Sequence, residues 1–325
     1  VKTLIDFDNA PVFAIPARPG YPGFDGCEGM LIEGPQGWGE FCPPRTGSDL
    51  AAARWLTSAV EGGTVGWPDP VRGRVAVAVP VPAVDPDSAS AITAAGGCRT
   101  ADVRVEGRAD RLAGDIARLE AVRDALGSDG SIRCVAGGAW DVETAAAVIP
   151  VLDRAAGGLE FIEQPCATVA DLAAVRLRVS VRIAADLAAL GTDDATRRAL
   201  SEAADIAILA VGPLGGVRRA LRVAETCGLP CVVASAPGTT IGLAGGLALA
   251  GVLPELEFDC GLGTAAVLAG DLVSQARSLI PVEGYLPVAP MPPAPDPDRL
   301  AQFALADPDR IAWWRNRLHS VSQLV

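Results

Sequence analysis

Leu159-Glu160-Phe161-Ile162-Glu163, Val181-Arg182-Ile183-Ala184-Ala185 and Ile206-Ala207-Ile208-Leu209-Ala210-Val211 are the runs whose reading decides the fold. Each is as long as a buried strand. Between them lie Ala-, Leu- and Arg-rich segments of helical length, Val169–Val179 and part of Asp193–Ala203. Strands that stay apolar along most of their length are covered on both faces. That is the situation of a parallel sheet whose crossovers are helices.

The alternation continues both ways. Upstream, strands are expected at Val75–Val81, Asp102–Val105 and Ile132–Val135, with helices at Arg108–Leu126 and Val142–Leu152. Downstream, a helix is expected at Gly216–Cys227, a strand at Pro230–Ala234, a glycine-rich helix from Thr240 and a last strand at Glu257–Cys260. Eight strands at this spacing predict a closed α/β barrel rather than an open sheet. The flanks differ. Phe13–Glu40 alternates apolar residues with Gly/Pro turns, the pattern of an antiparallel hairpin, and Ser48–Val60 reads as a helix. Beyond Gly284 the chain is proline-rich through Asp298, then helical over Arg310–Val321. We expect an α+β capping domain over residues 1–72, the barrel over 73–283, and a C-terminal segment, 284–325, that completes the cap.

Composition narrows the chemistry. The 325 residues carry a net charge of −12, which disfavours nucleic acid and anionic membrane surfaces as partners and leaves a small-molecule substrate. The cations are arginines apart from Lys2 and His319. Arginine holds its proton and makes a poor base. A catalytic lysine in the barrel is therefore excluded, as is a zinc site built on several histidines. The eight cysteines form no C-x-x-C pair. Cys227 and Cys231 lack a second pair to complete a zinc site, and most of the others sit in apolar runs. No segment has the order of a signal peptide, so a reducing cytoplasm is expected. No signal for an oligomeric state is present.

Barrel chemistry lies at the C-terminal ends of the strands. That rule selects Arg104, Val135, Glu163, Asp186, Ala210, Ser235 and Cys260. Glu163 and Asp186 end neighbouring strands; two such carboxylates can hold a divalent cation, do acid–base work, or simply hydrogen-bond within the barrel.

Gly37-Trp38-Gly39-Glu40-Phe41, Gly138-Ala139-Trp140-Asp141, Glu163-Gln164-Pro165-Cys166-Ala167-Thr168, Ile183-Ala184-Ala185-Asp186 and Pro213-Leu214-Gly215-Gly216-Val217-Arg218 resemble, in order and spacing, the o-succinylbenzoate synthase family of the enolase superfamily. The resemblance spans essentially the whole chain. It implies a (β/α)7β TIM-like barrel under an α+β cap. It also implies proton removal beside a carboxylate, with bound Mg²⁺ stabilising the enediolate and lysines acting as acid and base.

The site departs from that pattern. The family's Lys-x-Lys of the second strand is Asp102-Val103-Arg104. The Asp-x-Asn that supplies the first metal ligand falls on Val135 and Gly137. Glu163 and Asp186 are kept, but Leu187 follows Asp186 in place of a glutamate. The lysine of the sixth strand is Ala210, and the glutamate of the seventh is Gly238. The expectation is a degenerate site with no metal and no cofactor. Arg104, Glu163, Asp186 and Asp102 are its candidate catalytic groups, with Arg104 paired to Asp102 or Glu163. Val135, Leu187, Ala210, Ser235, Gly238 and Cys260 are the candidate substrate-binding residues. Cys42, beside the family's substrate loop, is a candidate reactive thiol. Gly212-Pro213-Leu214-Gly215-Gly216 reads as a strand-to-helix turn rather than a phosphate cradle, and His319 as a surface or packing residue.

The expected function is a metal-independent cyclase, lyase or isomerase of secondary metabolism, acting by orientation and a few polar groups. The alternatives are a non-catalytic small-molecule-binding pseudoenzyme and an o-succinylbenzoate synthase of menaquinone biosynthesis.

Overall fold

The computed structural model describes residues 5–289 and 291–325, with only the backbone of Asp194 and Arg197; Lys2 lies outside the described residues. Seven strands form one parallel sheet in sequence order: β5 (Val79–Val81), β6 (Thr100–Arg104), β7 (Ser131–Val135), β8 (Phe161–Glu163), β9 (Ile183–Asp186), β10 (Ile206–Leu209) and β11 (Cys231–Val233). The sheet curls into a barrel because one short segment joins its edges. Cys260 pairs in parallel with Val77, ahead of β5, and Gly261 pairs in parallel with Ala234, after β11.

The expected eighth strand, Glu257–Cys260, is thus reduced to two bridges. The Asp259 carbonyl, which would extend the ladder, instead accepts a hydrogen bond from Arg133 Nη1 at 2.7 Å. The expected first strand is likewise split. Its beginning is β4 (Arg74–Ala76), which pairs antiparallel with β12 (Tyr285–Pro287), and only Val79–Val81 joins the barrel sheet. Helix Pro86–Gly96, absent from the sequence reading, starts at an Asp85 N-cap with proline in its first turn.

Strand periodicity separates two apolar layers. Phe161, Ala184, Ile206, Ile208 and Val232 point inward and meet Phe258. Val79, Val103, Cys134, Ile162, Ala185, Leu209 and Cys260 belong to the larger core shared with the helices. A cation is buried inside the barrel. Arg133, 1% exposed, bonds Glu160 at 2.5 Å and faces Asp102 at 3.6 Å over the Phe161 ring. An unpaired guanidinium there would carry a large desolvation cost; these acids offset it.

The cap is an antiparallel sheet of β1 (Val12–Ile15), β2 (Cys27–Gly34) and β3 (Gly37–Phe41). Its alternation gives it two apolar faces. Met30, Ile32 and Phe41 pack with Leu56 of helix Asp49–Thr64 and Trp314 of helix Pro308–Ser322. Phe13, Ile15, Cys27 and Leu31 pack with Ile241, Leu268 and Val273.

Two cap acids fasten it to the barrel. Glu61 accepts hydrogen bonds from the amides of Val217 (2.5 Å) and Arg218 (3.1 Å), at the start of helix Val217–Cys227. Glu40 accepts from the Thr239 hydroxyl and, at 3.3 Å, from its amide, at the start of helix Thr240–Val252. Carboxylates at helix N-termini satisfy orphan amides and complement the helix dipole. The Gly212–Gly216 turn therefore presents its helix amides to Glu61.

Candidate active site

A cavity of about 310 Å³ opens where β8 to β11 end, between barrel and cap. Glu163 and Asp186, the last residues of β8 and β9, lie on its wall with Ala210, Ser235 and Gly238. The cap contributes Glu40, Cys42, Trp55 and Ser58. Cys42, Trp55, Ala236 and Pro237 also line a cleft of about 880 Å³ running out beneath the cap past Arg45 and Trp313. A third cavity, of about 480 Å³, is lined by Cys231 at the start of β11 and by Leu253 and Glu257, so it lies away from the strand ends where barrel chemistry sits.

Gln164 sets the relation of the two acids. It follows Glu163, is 3% exposed and has φ 45°, the left-handed region that a non-glycine residue enters at a cost of about 1 kcal/mol or more. Its Nε2 donates to the Cys166 carbonyl at 2.9 Å, while its Oε1 accepts from the Asp186 amide at 2.7 Å. The ends of β8 and β9 are thereby locked together. Asp186 also caps the short helix Leu187–Leu190 by accepting from Ala188 N at 2.8 Å.

The site is short of positive charge. Burial first, then the neighbouring Asp186 and Asp102 carboxylates, push Glu163 up to about 8. Burial also raises Asp186, against the backbone amides that hydrogen-bond it. Glu40 is lifted to about 7, chiefly by burial, although its bonds to Thr239 oppose the shift. Burial raises Asp102 too, against the pull of Arg133. Desolvation and like-charged neighbours both favour the protonated form of a carboxyl group.

Several expected site residues are placed elsewhere. Leu187, 2% exposed, turns into the core between strands and helices, because Asp186 ends the strand and the chain enters a helical turn. Cys260 is fully buried in the same outer layer, since it is Gly261 that faces Asp102 across the barrel. Asp102 pairs with Arg133 rather than Arg104. Arg104 is exposed, and no described ion pair joins it to Glu163; its guanidinium lies against Gly137. Arg104, Asp102 and Val135 are outside the cavity lining, although Arg104 and Asp102 both act electrostatically on Glu163. Glu40, Trp55 and Gln164 were not among the expected site residues. Glu40 and Gln164 stand within the quoted motifs, so an acid and a buried amide in those motifs were the available signals. Trp55 carried none.

Comparison with known proteins identifies the architecture. Residues 86–292 match the family described as enolase C-terminal domain-like, and residues 12–63 the enolase N-terminal domain-like family. The chain is 51% identical over 276 residues to an o-succinylbenzoate synthase of Thermobifida fusca (strain YX), covering 85% of this chain and 86% of that protein. It is 40% identical to the o-succinylbenzoate synthase of Mycobacterium leprae (strain TN), covering 100% of this chain and 95% of that one. The chain belongs to the o-succinylbenzoate synthase family of the enolase superfamily. Among solved structures, muconate lactonizing enzyme from Pseudomonas fluorescens, complexed with muconolactone, superposes with a TM-score of 0.75 at 19% identity, over 93% of this chain and 99% of that one. That likeness supports the capped α/β barrel shared across the superfamily.

The residues present do not fit the magnesium ion that the o-succinylbenzoate synthase family implies. Mg²⁺ requires oxygen donors in near-octahedral array. At the ends of β7 to β9 the donors are Glu163 and Asp186, whereas β7 ends in Val135, which has none. Asp102 is engaged with Arg133. Among the described residues, the metal-ligand types converge in a group of three only at Cys27, Glu40 and Cys42.

Proposed function

We propose that this o-succinylbenzoate synthase relative is a lyase or cyclase that works without a magnesium ion in the barrel and without lysines, on a small molecule bound between barrel and cap. The reading rests on one observation: Glu163 and Asp186 are held side by side by Gln164 on the cavity wall, with no cationic side chain in the lining. Two carboxylates in such surroundings share a proton, giving one acid and one base. Glu163, the more strongly raised, donates its proton to the departing oxygen as the carbon–oxygen bond breaks. Asp186 accepts the proton lost from the neighbouring carbon. Water leaves, and the pair re-equilibrates with solvent. In a cyclisation the same two groups protonate one end of the substrate and deprotonate the other. Trp55 and Ile208 supply apolar walls that orient the ligand. The absence of a lining cation favours substrates that do not need a dianion stabilised, such as intermediates of secondary metabolism.

The test is turnover of cyclohexadiene alcohols and related carboxylates by chelator-treated protein. The expected result is a rate unchanged by chelator and lowered at least about 100-fold in Glu163→Gln. No rate above buffer favours a binding role.

A second reading is favoured by the relatives: dehydration of the cyclohexadiene precursor to o-succinylbenzoate. A rate with that precursor that requires added Mg²⁺ and is abolished by Glu163→Gln would replace the first reading with this one.

A further inference from the structure

The cap hairpin brings together three side chains that the acid pair does not use. Continuing the β2–β3 register Met30↔Phe41 by one residue sets Gly29 across from Cys42. A Cβ on Gly29 would stand 3.0 Å from the Cys42 Cβ, so its absence opens the face of the hairpin. Cys42 then reaches diagonally to Cys27, and the two Sγ atoms lie 3.1 Å apart. Glu40, two residues before Cys42, projects from the same face, with Oε1 4.0 Å from Cys27 Sγ. The three ligand atoms lie within 4.8 Å of one another.

We propose that Cys27, Glu40 and Cys42 form a binding site for a thiophilic divalent cation, Zn²⁺ being the ion their chemistry fits. Two sulfurs and one carboxylate oxygen suit zinc and not magnesium. On a tetrahedral zinc with Zn–S bonds of about 2.3 Å, two thiolates sit roughly 3.8 Å apart. The observed separation of 3.1 Å reaches that value by small side-chain rotations. The carboxylate is already oriented. Thr239 engages Glu40 Oε2 through hydroxyl and amide, and it is the other oxygen, Oε1, that faces Cys27. Outer hydrogen bonds of this kind fix a ligand's direction. Three protein ligands leave a fourth position. Glu40 and Cys42 both line the 310 Å³ cavity, so that position opens toward water or a bound ligand. The ligands belong to the cap, whereas Glu163 and Asp186 belong to the barrel wall of the same cavity, and the proposal does not depend on the acids' proposed role.

The experiment titrates the reduced, chelator-stripped full chain with Zn²⁺ against a chromophoric chelator, and with Co²⁺ followed by absorption. The expected result is one ion per chain at sub-micromolar affinity. The cobalt complex should show near-ultraviolet sulfur-to-metal charge transfer and four-coordinate visible bands. Cys27→Ser and Cys42→Ser should each weaken binding at least about 100-fold, and Glu40→Gln about 10- to 100-fold. Cys231→Ser, which alters the other close thiol pair (Sγ atoms 3.8 Å apart), should leave it unchanged. If Cys27→Ser does not fold, the half-buried Cys42→Ser and the wild-type cobalt spectrum decide. Binding weaker than about 10 μM, a cobalt complex without thiolate bands, or binding lost on Cys231→Ser would each overturn the proposal.

Discussion

The Arg104 guanidinium occupies the space directly above Gly137. A Cβ at Gly137, where φ is +67°, would stand 3.0 Å from Nη2 and 3.1 Å from Nη1. The resemblance implies an asparagine of the family pattern at position 137 and a lysine at position 104. The two positions are thus one spatial unit: a guanidinium lies over a residue without a side chain. Because Arg104 and Val135 are paired across β6 and β7, that cation also stands beside the position where the resemblance implies a metal ligand.

Introducing a carboxylate at 135 should therefore not create magnesium binding by itself. In Val135→Asp the new acid pairs with Arg104, and the melting temperature stays indifferent to 10 mM Mg²⁺, as in the wild type. In Val135→Asp with Arg104→Ala, three acids face one another. That protein should melt lower without Mg²⁺ and recover when it is added, by about 1.5 °C for each kcal/mol of binding. Differential scanning calorimetry with and without the ion is the check.

Glu163 gives stability a defined pH dependence. Its carboxyl keeps the proton up to about pH 8 in the folded chain, against an ordinary value of 4.5. Between those limits the native state binds more protons than the unfolded state, so stability falls as pH rises through this window and levels off above it. Glu163→Gln removes that contribution. The variant should match the wild type near pH 5 and exceed it near pH 8.5 by about 2 kcal/mol, a figure discounted for solvent at the cavity mouth. Urea unfolding at both pH values measures the difference; a constant offset would show that Glu163 ionises normally.

Arg133 is the counter-ion of the barrel interior. Arg133→Met leaves the Asp102 and Glu160 carboxylates without it and should cost about 3–5 kcal/mol at neutral pH. Burial already raises Asp102, so its protonation on acidification should return part of that loss. Chemical denaturation at neutral and acidic pH tests the sign. A loss that grows on acidification would refute the assignment.

Glu61 joins cap to barrel through two helix amides and a 3.0 Å ion pair with Arg218. Glu61→Ala should cost about 1–3 kcal/mol. It should also raise hydrogen exchange at the amides of Val217 and Arg218, which a purely local effect on helix Asp49–Thr64 would not do.

The barrel was legible in the sequence because each parallel strand is covered on both faces, so its apolar run is local and continuous. Strand ends were less legible. Glu257–Cys260 reads as a strand, yet an arginine from β7 takes the Asp259 carbonyl, and only long-range contact reveals this. Of the expected site, Glu163, Asp186, Ala210, Ser235 and Gly238 meet at one cavity, since strand-end position follows from strand register. Leu187 and Cys260 were misplaced because one residue of parity exchanges the inner and outer layers.

Composition alone settled that no described barrel position offers an amine to move protons: a chain whose lysine is Lys2 has none to place there. Tertiary structure decided where the remaining charges act. Arg133 was drawn to Asp102, Arg104 to the space over Gly137, and Glu40 to the thiols of the cap hairpin. The physical reason is that apolar periodicity is written in near neighbours along the chain. The partner of a buried charge is chosen by desolvation and proximity among residues far apart in sequence.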